Sequence, residues 1–176
     1  MKKIIFLLLT VFAVCCCSKD DDRPKTEVEK LPPATQIGAN RIGCLLDGKA
    51  LLPGKINNSV NCFYQFVDGE YYFVMAFNKR DENNNLIGVG IGTQKLQIQQ
   101  DSIYNLFEIS ENHAYGAFGF GPFDSYTSQT NTGEFKITKL DEINHIVSGT
   151  FWFDVTDTYG VVHQIREGRF DFQYTN

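Results

Sequence analysis

From residue 40 onward, apolar and polar positions alternate with a period of two, interrupted by turn residues. That is the pattern of half-buried strands. Two Asp-Gly pairs are the sharpest marks, because this dipeptide between apolar runs is the strongest short hairpin signal. "RIGCLLDGKALLP" turns at Asp47-Gly48, and "SVNCFYQFVDGEYYFVMAFNK" turns at Asp68-Gly69. A two-residue turn at Asp68-Gly69 pairs Val67 with Glu70, Phe66 with Tyr71, Tyr64 with Phe73, Cys62 with Met75 and Val60 with Phe77. From Phe66 outward every pair on that face is apolar or aromatic. The opposite face, with Gln65 against Tyr72 and Asn61 against Ala76, is mixed, as a half-buried sheet requires.

"NLIGVGIGTQ" places Ile87, Val89 and Ile91 on one face and Gly88, Gly90 and Gly92 on the other. The spacing is G-x-G-x-G with no helix pattern after it, so it is not a dinucleotide loop. A bare strand face admits close approach, either by an aromatic ring from a neighbouring strand or by a ligand. "HAYGAFGFGPF" repeats the theme, with Phe118 and Phe120 on one face and Ala117, Gly119 and Gly121 on the other; together the two strands could leave a shallow groove. "DSYTSQTNTG", Asp124 to Gly133, reads as an exposed polar loop. The last third reads as three strands. Phe135 and Ile137 point inward on the first, and Val147, Phe151, Phe153 and Val155 share a face of the second. On the third the inward phase begins at Val161 and Ile165 and ends at Phe170, Phe172 and Tyr174. The switch falls at Glu167-Gly168, where one extra residue in a β-bulge restores the phase. The fold expected is all-β, an antiparallel β-sandwich or flattened barrel of about nine or ten strands.

The N-terminal pattern is different. Lys2 and Lys3 precede an apolar run from Ile4 to Val14, which fits the core of a secretory signal and is too short to span a bilayer. Three cysteines follow. Val14-Cys15-Cys16-Cys17 resembles a bacterial lipoprotein signal, in which an apolar residue and two small ones precede the lipid-bearing cysteine. Cys17 fits that pattern best and Cys15 is the alternative. Adjacent cysteines lack the C-x₂-C spacing of zinc sites. The acidic run Ser18, Lys19, Asp20, Asp21, Asp22 is either a solvated tether or an export tag, since it resembles the surface-export signal of Bacteroidota lipoproteins. The organisation expected is a signal peptide over 1–16, a lipidated, poorly ordered tether over 17–39 and one β domain over 40–176. Fully extended, residues 18–39 would reach at most roughly 70–80 Å.

Composition sharpens two points. Aromatic residues make up 14% of the chain, with 15 Phe, 8 Tyr and one Trp, which favours strands with large buried rings. The formal net charge is −5 and becomes more negative once Lys2 and Lys3 are removed with the leader; no basic stripe supports nucleic-acid binding.

Candidate chemistry is sparse. His113, His145 and His163 are far apart without metal-type spacing, and no P-loop, G-x-S-x-G or H-E-x-x-H is present, so no metal and no cofactor is expected. Asp154 and Asp171 lie on the outward phase with Trp152 and Arg169 nearby in sequence; they are either a solvated sheet face or a glycosidase-type carboxylate pair. Cys44 and Cys62 do not face each other within their hairpins, so they are buried thiols unless their strands are neighbours and they form a disulfide.

"ITKLD", "SGTFWFD" and "REGRFDFQY", with "LPPATQIGANRIGCLLDGK", resemble a family of small Bacteroidota lipoproteins of unknown function. The resemblance implies a fold and an outer-membrane, outward-facing address, and transfers no catalytic residue. The expectation is a non-catalytic, lipid-anchored surface module. Its partners are the membrane, through the lipid, and a glycan or surface protein contacted by Trp152, Tyr126 and Asp154. The alternatives are a carrier of a small apolar ligand between the strands bearing Gly88, Gly90 and Gly92, and a carbohydrate-active enzyme.

Overall fold

The computed structural model describes residues 23–55, 59–119 and 125–176. The residues expected to carry the leader, the lipid and the acidic run, Cys15, Cys17 and Ser18 to Asp22 among them, lie outside the described residues, as do Phe120 and Gly121. The described chain is all-β apart from one 3₁₀ turn, Val28–Lys30. The strands are β1 (Arg41–Leu46), β2 (Lys49–Leu51), β3 (Val60–Val67), β4 (Glu70–Arg80), β5 (Leu86–Gln94), β6 (Ile103–Leu106), β7 (His113–Gly119), β8 (Ser125–Tyr126), β9 (Gly133–Asp141), β10 (Ile146–Thr156) and β11 (Val162–Gln173). They form one sheet in the order β2-β1-β11-β10-β9-β6-β7-β5-β4-β3, with β8 beside β7. All named pairs are antiparallel except the single parallel contact of β6 with β7 at Leu106 and Ala114.

Both Asp-Gly hairpins form. The register of β3 with β4 is the expected one, from Val67 opposite Glu70 to Val60 opposite Phe77. Asp47, Gly48, Asp68 and Gly69 all have positive φ, the requirement of a type I′ turn whose twist matches its strands. The inward side chains then meet across the folded sheet. Phe73 of β4 stacks on Phe135 of β9 at 5.5 Å, and Phe170 of β11 lies 6.3 Å from Phe73. Phe73, Phe118, Phe135 and Phe153 are fully buried. Beyond β11 the chain reaches the β3 edge, where Tyr64 donates its N–H to the Thr175 carbonyl and Thr175 donates to that of Cys62. The sheet is thus curled on itself without being closed into a barrel by continuous strand pairing.

The bulge also forms. Phe151 pairs with Gly168 and Phe153 with Ile165, so Trp152 faces both Arg166 and Glu167, and Glu167 has φ +54°. The physical need is close approach at Gly168, where a Cβ would sit 2.6 Å from the Phe151 carbonyl oxygen.

Several expectations are corrected. Val161 is 52% exposed, because it belongs to the turn before β11, where its N–H donates to the Asp157 carboxylate and its carbonyl accepts the Asp157 N–H; the inward phase passes instead through His163, whose ring packs 4.5 Å from Phe118. The polar stretch after residue 124 is not simply a loop. It contains β8, and Thr127 is buried, with its hydroxyl bonded to Gly116 N–H and Phe107 C=O. The described part of the expected tether is ordered against the sheet. Glu27 accepts the Ala50 N–H of edge strand β2 at 2.8 Å, and Leu31 is buried. Leu31, Pro32 and Leu52 lie over Gly43, where a Cβ would come 2.7 Å from Leu52. Of the two alternatives left open for Cys44 and Cys62, the structure has the buried free thiols, on β1 and β3. Burial raises both thiols far above the ordinary cysteine range.

Candidate functional site

Strands β9, β10 and β11 present their non-core face in two rows across the sheet. Glu134 on β9 lies opposite Trp152 on β10, and Trp152 faces the bulge on β11. One step along, Lys136 pairs with Thr150 and Thr150 pairs with Arg169. The bulge shapes this face. A regular strand would send alternate residues outward, whereas the extra residue lets Arg166, Glu167 and Arg169 all border the same depression. The depression is about 460 Å³ and open to solvent; Ala34 of the N-terminal segment and Ile103 of β6 complete its rim.

Trp152 is 37% exposed and held on two sides. Its indole N–H donates to Glu134 at 3.1 Å, and the Arg166 guanidinium lies 5.4 Å from its ring centre. Arg166 is fixed in turn, with one nitrogen on the Asp154 carboxylate at 2.6 Å and another on the Phe153 carbonyl at 3.0 Å. These contacts pre-set the indole, so little ordering cost falls on a ligand that meets it.

Asp171 is not part of a solvated face. It is 1% exposed, and its carboxylate accepts five hydrogen bonds. They come from the Thr35 hydroxyl at 2.6 Å, the N–H groups of Ile37, Gly38 and Ala39, and the Ser148 hydroxyl at 2.8 Å. Burial alone would raise its pKa, but these donors outweigh it and hold the carboxyl below the usual aspartate value. It is a structural acid that pins the N-terminal segment. Asp154 pairs with Gln164 and Asp171 with Ser148, so the two acids sit six residues apart along β10, on the order of 20 Å. That is well beyond the roughly 5–9.5 Å of a glycosidase pair.

The glycine strand is also resolved. Tyr115, directly opposite Gly92, folds its ring onto that residue, and a Cβ at Gly92 would lie 2.3 Å from the Tyr115 hydroxyl. The close approach there is an aromatic ring. Gly88 and Gly90 are buried beside Gly119 and Ala117. Tyr126 is 40% exposed and packs edge-on against Tyr115 at 6.0 Å, away from the Trp152 depression. The space between the sheet halves, where a carried ligand would sit, holds the Phe73, Phe135 and Phe170 rings.

The histidines do not meet. His163 lies between Asp47 at 2.7 Å and Asp157 at 3.3 Å and ties two turns together, while His113 and His145 pack on Phe107 and Tyr174. Among the described residues no three His, Cys, Asp or Glu side chains are grouped as metal ligands, and no helix is long and apolar enough to cross a membrane. Sequence reading singled out Trp152 and its outward phase but missed Glu134, Lys136 and Thr150. The hairpin turn near residues 141–144 announces that β9 and β10 pair, but the register shifts between Ser148 and Gly149, so the turn alone does not place Glu134 opposite Trp152 or Lys136 opposite Thr150. No family model, curated protein or solved structure matches the chain.

Proposed function

We propose that this protein is a lipid-anchored, non-catalytic surface module that binds carbohydrate on the open face of β9–β11. The observation that carries the reading is Trp152, a part-exposed indole held by Glu134 and Arg166 beside a solvent-open depression. A sugar ring offers an apolar C–H face and a rim of hydroxyls. An aromatic surface bordered by carboxylate, guanidinium, ammonium and hydroxyl groups complements both. The filled interior favours this surface reading over a carrier, and the distance between Asp154 and Asp171 removes support from a carboxylate-pair enzyme. The membrane address rests on Cys17, or Cys15, behind the Ile4–Val14 run, and the outward orientation on the Asp20–Asp22 run.

Two measurements test it. Applied to an array of polysaccharides, the full chain should bind a defined subset, and Trp152→Ala should abolish binding with unfolding unchanged. An array without Trp152-dependent binding rejects the carbohydrate reading. Trypsin added to intact cells should cut at Lys19 or Lys25 and release the domain; protection until the outer membrane is broken rejects the outward orientation.

A further inference from the structure

Resting on the carbohydrate reading, we infer that the ligand of this face is an acidic glycan, whose carboxylate or sulfate sits between Lys136 and Arg169 beside Trp152. Lys136, Thr150 and Arg169 are direct cross-strand neighbours on three consecutive strands, so their Cα atoms span two strand spacings, about 9–10 Å. Two long cationic side chains can converge over the hydroxyl between them. Lys136 forms no ion pair among the described residues, and the Thr150 hydroxyl forms no side-chain hydrogen bond there. Arg169 is 19% exposed and orients against the Glu167 carboxylate and carbonyl, both at 3.2 Å. Glu167 is a replaceable partner, because its own side chain is 55% exposed and such surface pairs contribute little.

The neighbouring row has a different character. There the cation, Arg166, is already committed to Asp154 and two backbone carbonyls, and Glu134 is spent on the indole. A free positive charge thus adjoins one side of the aromatic surface and not the other. A uronic acid or sulfated sugar, with its acidic group offset from an apolar ring face, matches that asymmetry. The chain as a whole carries net charge −5, so general attraction for polyanions does not account for such binding; the recognition has to be local.

The test uses the full chain on matched pairs. Polygalacturonate, alginate and hyaluronan are each compared with their carboxyl-reduced neutral counterparts, alongside sulfated polymers and the neutral polysaccharides of the array. The acidic member of at least one pair, or a sulfated polymer, should bind at least about tenfold tighter than its neutral counterpart. Lys136→Ala should remove most of that preference, Arg169→Gln should reduce it, and Lys136→Glu should abolish it. Trp152→Ala should abolish binding of both members of the pair. Moving from low to high salt should erode the acidic preference alone. Trp152-dependent binding of neutral glycans with no acidic preference, or a preference unmoved at Lys136, overturns this inference and leaves the carbohydrate reading standing. Absence of any Trp152-dependent glycan binding by the full chain rejects both.

Discussion

Removing the Asp171 carboxylate should release the N-terminal segment from the sheet. Asp171→Ala takes away five hydrogen bonds. Bonds to a charged group contribute about 1.5–3 kcal/mol each, so a simple sum would exceed 7 kcal/mol. The segment caps that figure, because it can lift away and return Thr35 and the three N–H groups to water. What then remains is the exposure of Leu31, at about 1.5–2 kcal/mol, plus, to the extent that Ser148 beside Asp171 stays covered, its hydroxyl without an acceptor, at about 1–3 kcal/mol. The expected cost is therefore about 1.5–5 kcal/mol, or roughly 3–20 °C in Tm for a chain of this size. Urea unfolding reads the global term, and hydrogen exchange reads the local one. The amides of Ile37, Gly38 and Ala39 should lose protection before those of β9–β11. Acid provides an independent handle. The folded carboxyl titrates below its unfolded value near 3.9, so its contribution is fully present above about pH 5 and is lost as pH falls through the folded pKa. Asp171→Asn should flatten that part of the stability profile. An Asp171→Ala protein within about 1 kcal/mol of the parent, with the three amides still protected, would refute the pinning role.

Other consequences are read more simply. Phe73→Ala should cost about 3–5 kcal/mol in urea unfolding, since the ring is fully buried against Phe135 and Phe170; a cost under 2 would mean the core collapses into the space. Gly168→Ala should destabilise by about 1–3 kcal/mol and disturb the bulge, because the added methyl meets the Phe151 carbonyl; an unchanged midpoint would show that the bulge can shift at no cost. Cys44 and Cys62 should resist a thiol reagent in the native protein and react on unfolding, with no effect of reductant on Tm; rapid native labelling would contradict their burial.

Much of this architecture is legible in the chain because its signals are local. Asp-Gly turns specify hairpin register, and the parity change between Ile165 and Phe170 betrays the bulge, since an inward side chain cannot change parity without an extra residue. The outward phase of Trp152 follows from Phe151 and Phe153 on either side. What the chain conceals is whatever depends on a non-local cover. Asp171 does point away from the core, as its phase demands, but the segment that buries it has no periodicity to announce it. Thr127 is polar in a polar stretch, so its burial shows only once Gly116 and Phe107 are seen to bond it. The cationic row was equally hidden, because Lys136 and Arg169 are distant in sequence and meet only through the strand between them.

The docked N-terminal segment also sets a mechanical geometry. If the lipid is on Cys17, the leash to the first sheet contact, at Glu27, is about ten residues, a reach of at most roughly 35 Å, half that of an unbound tether. Tension from the membrane would first load the Glu27 contact at the β2 edge and the packing of Leu31 over Gly43, and only then the clasp at Asp171. The domain would ride close to the bilayer in a restricted set of orientations, with the Trp152 face beside the point of attachment through Ala34.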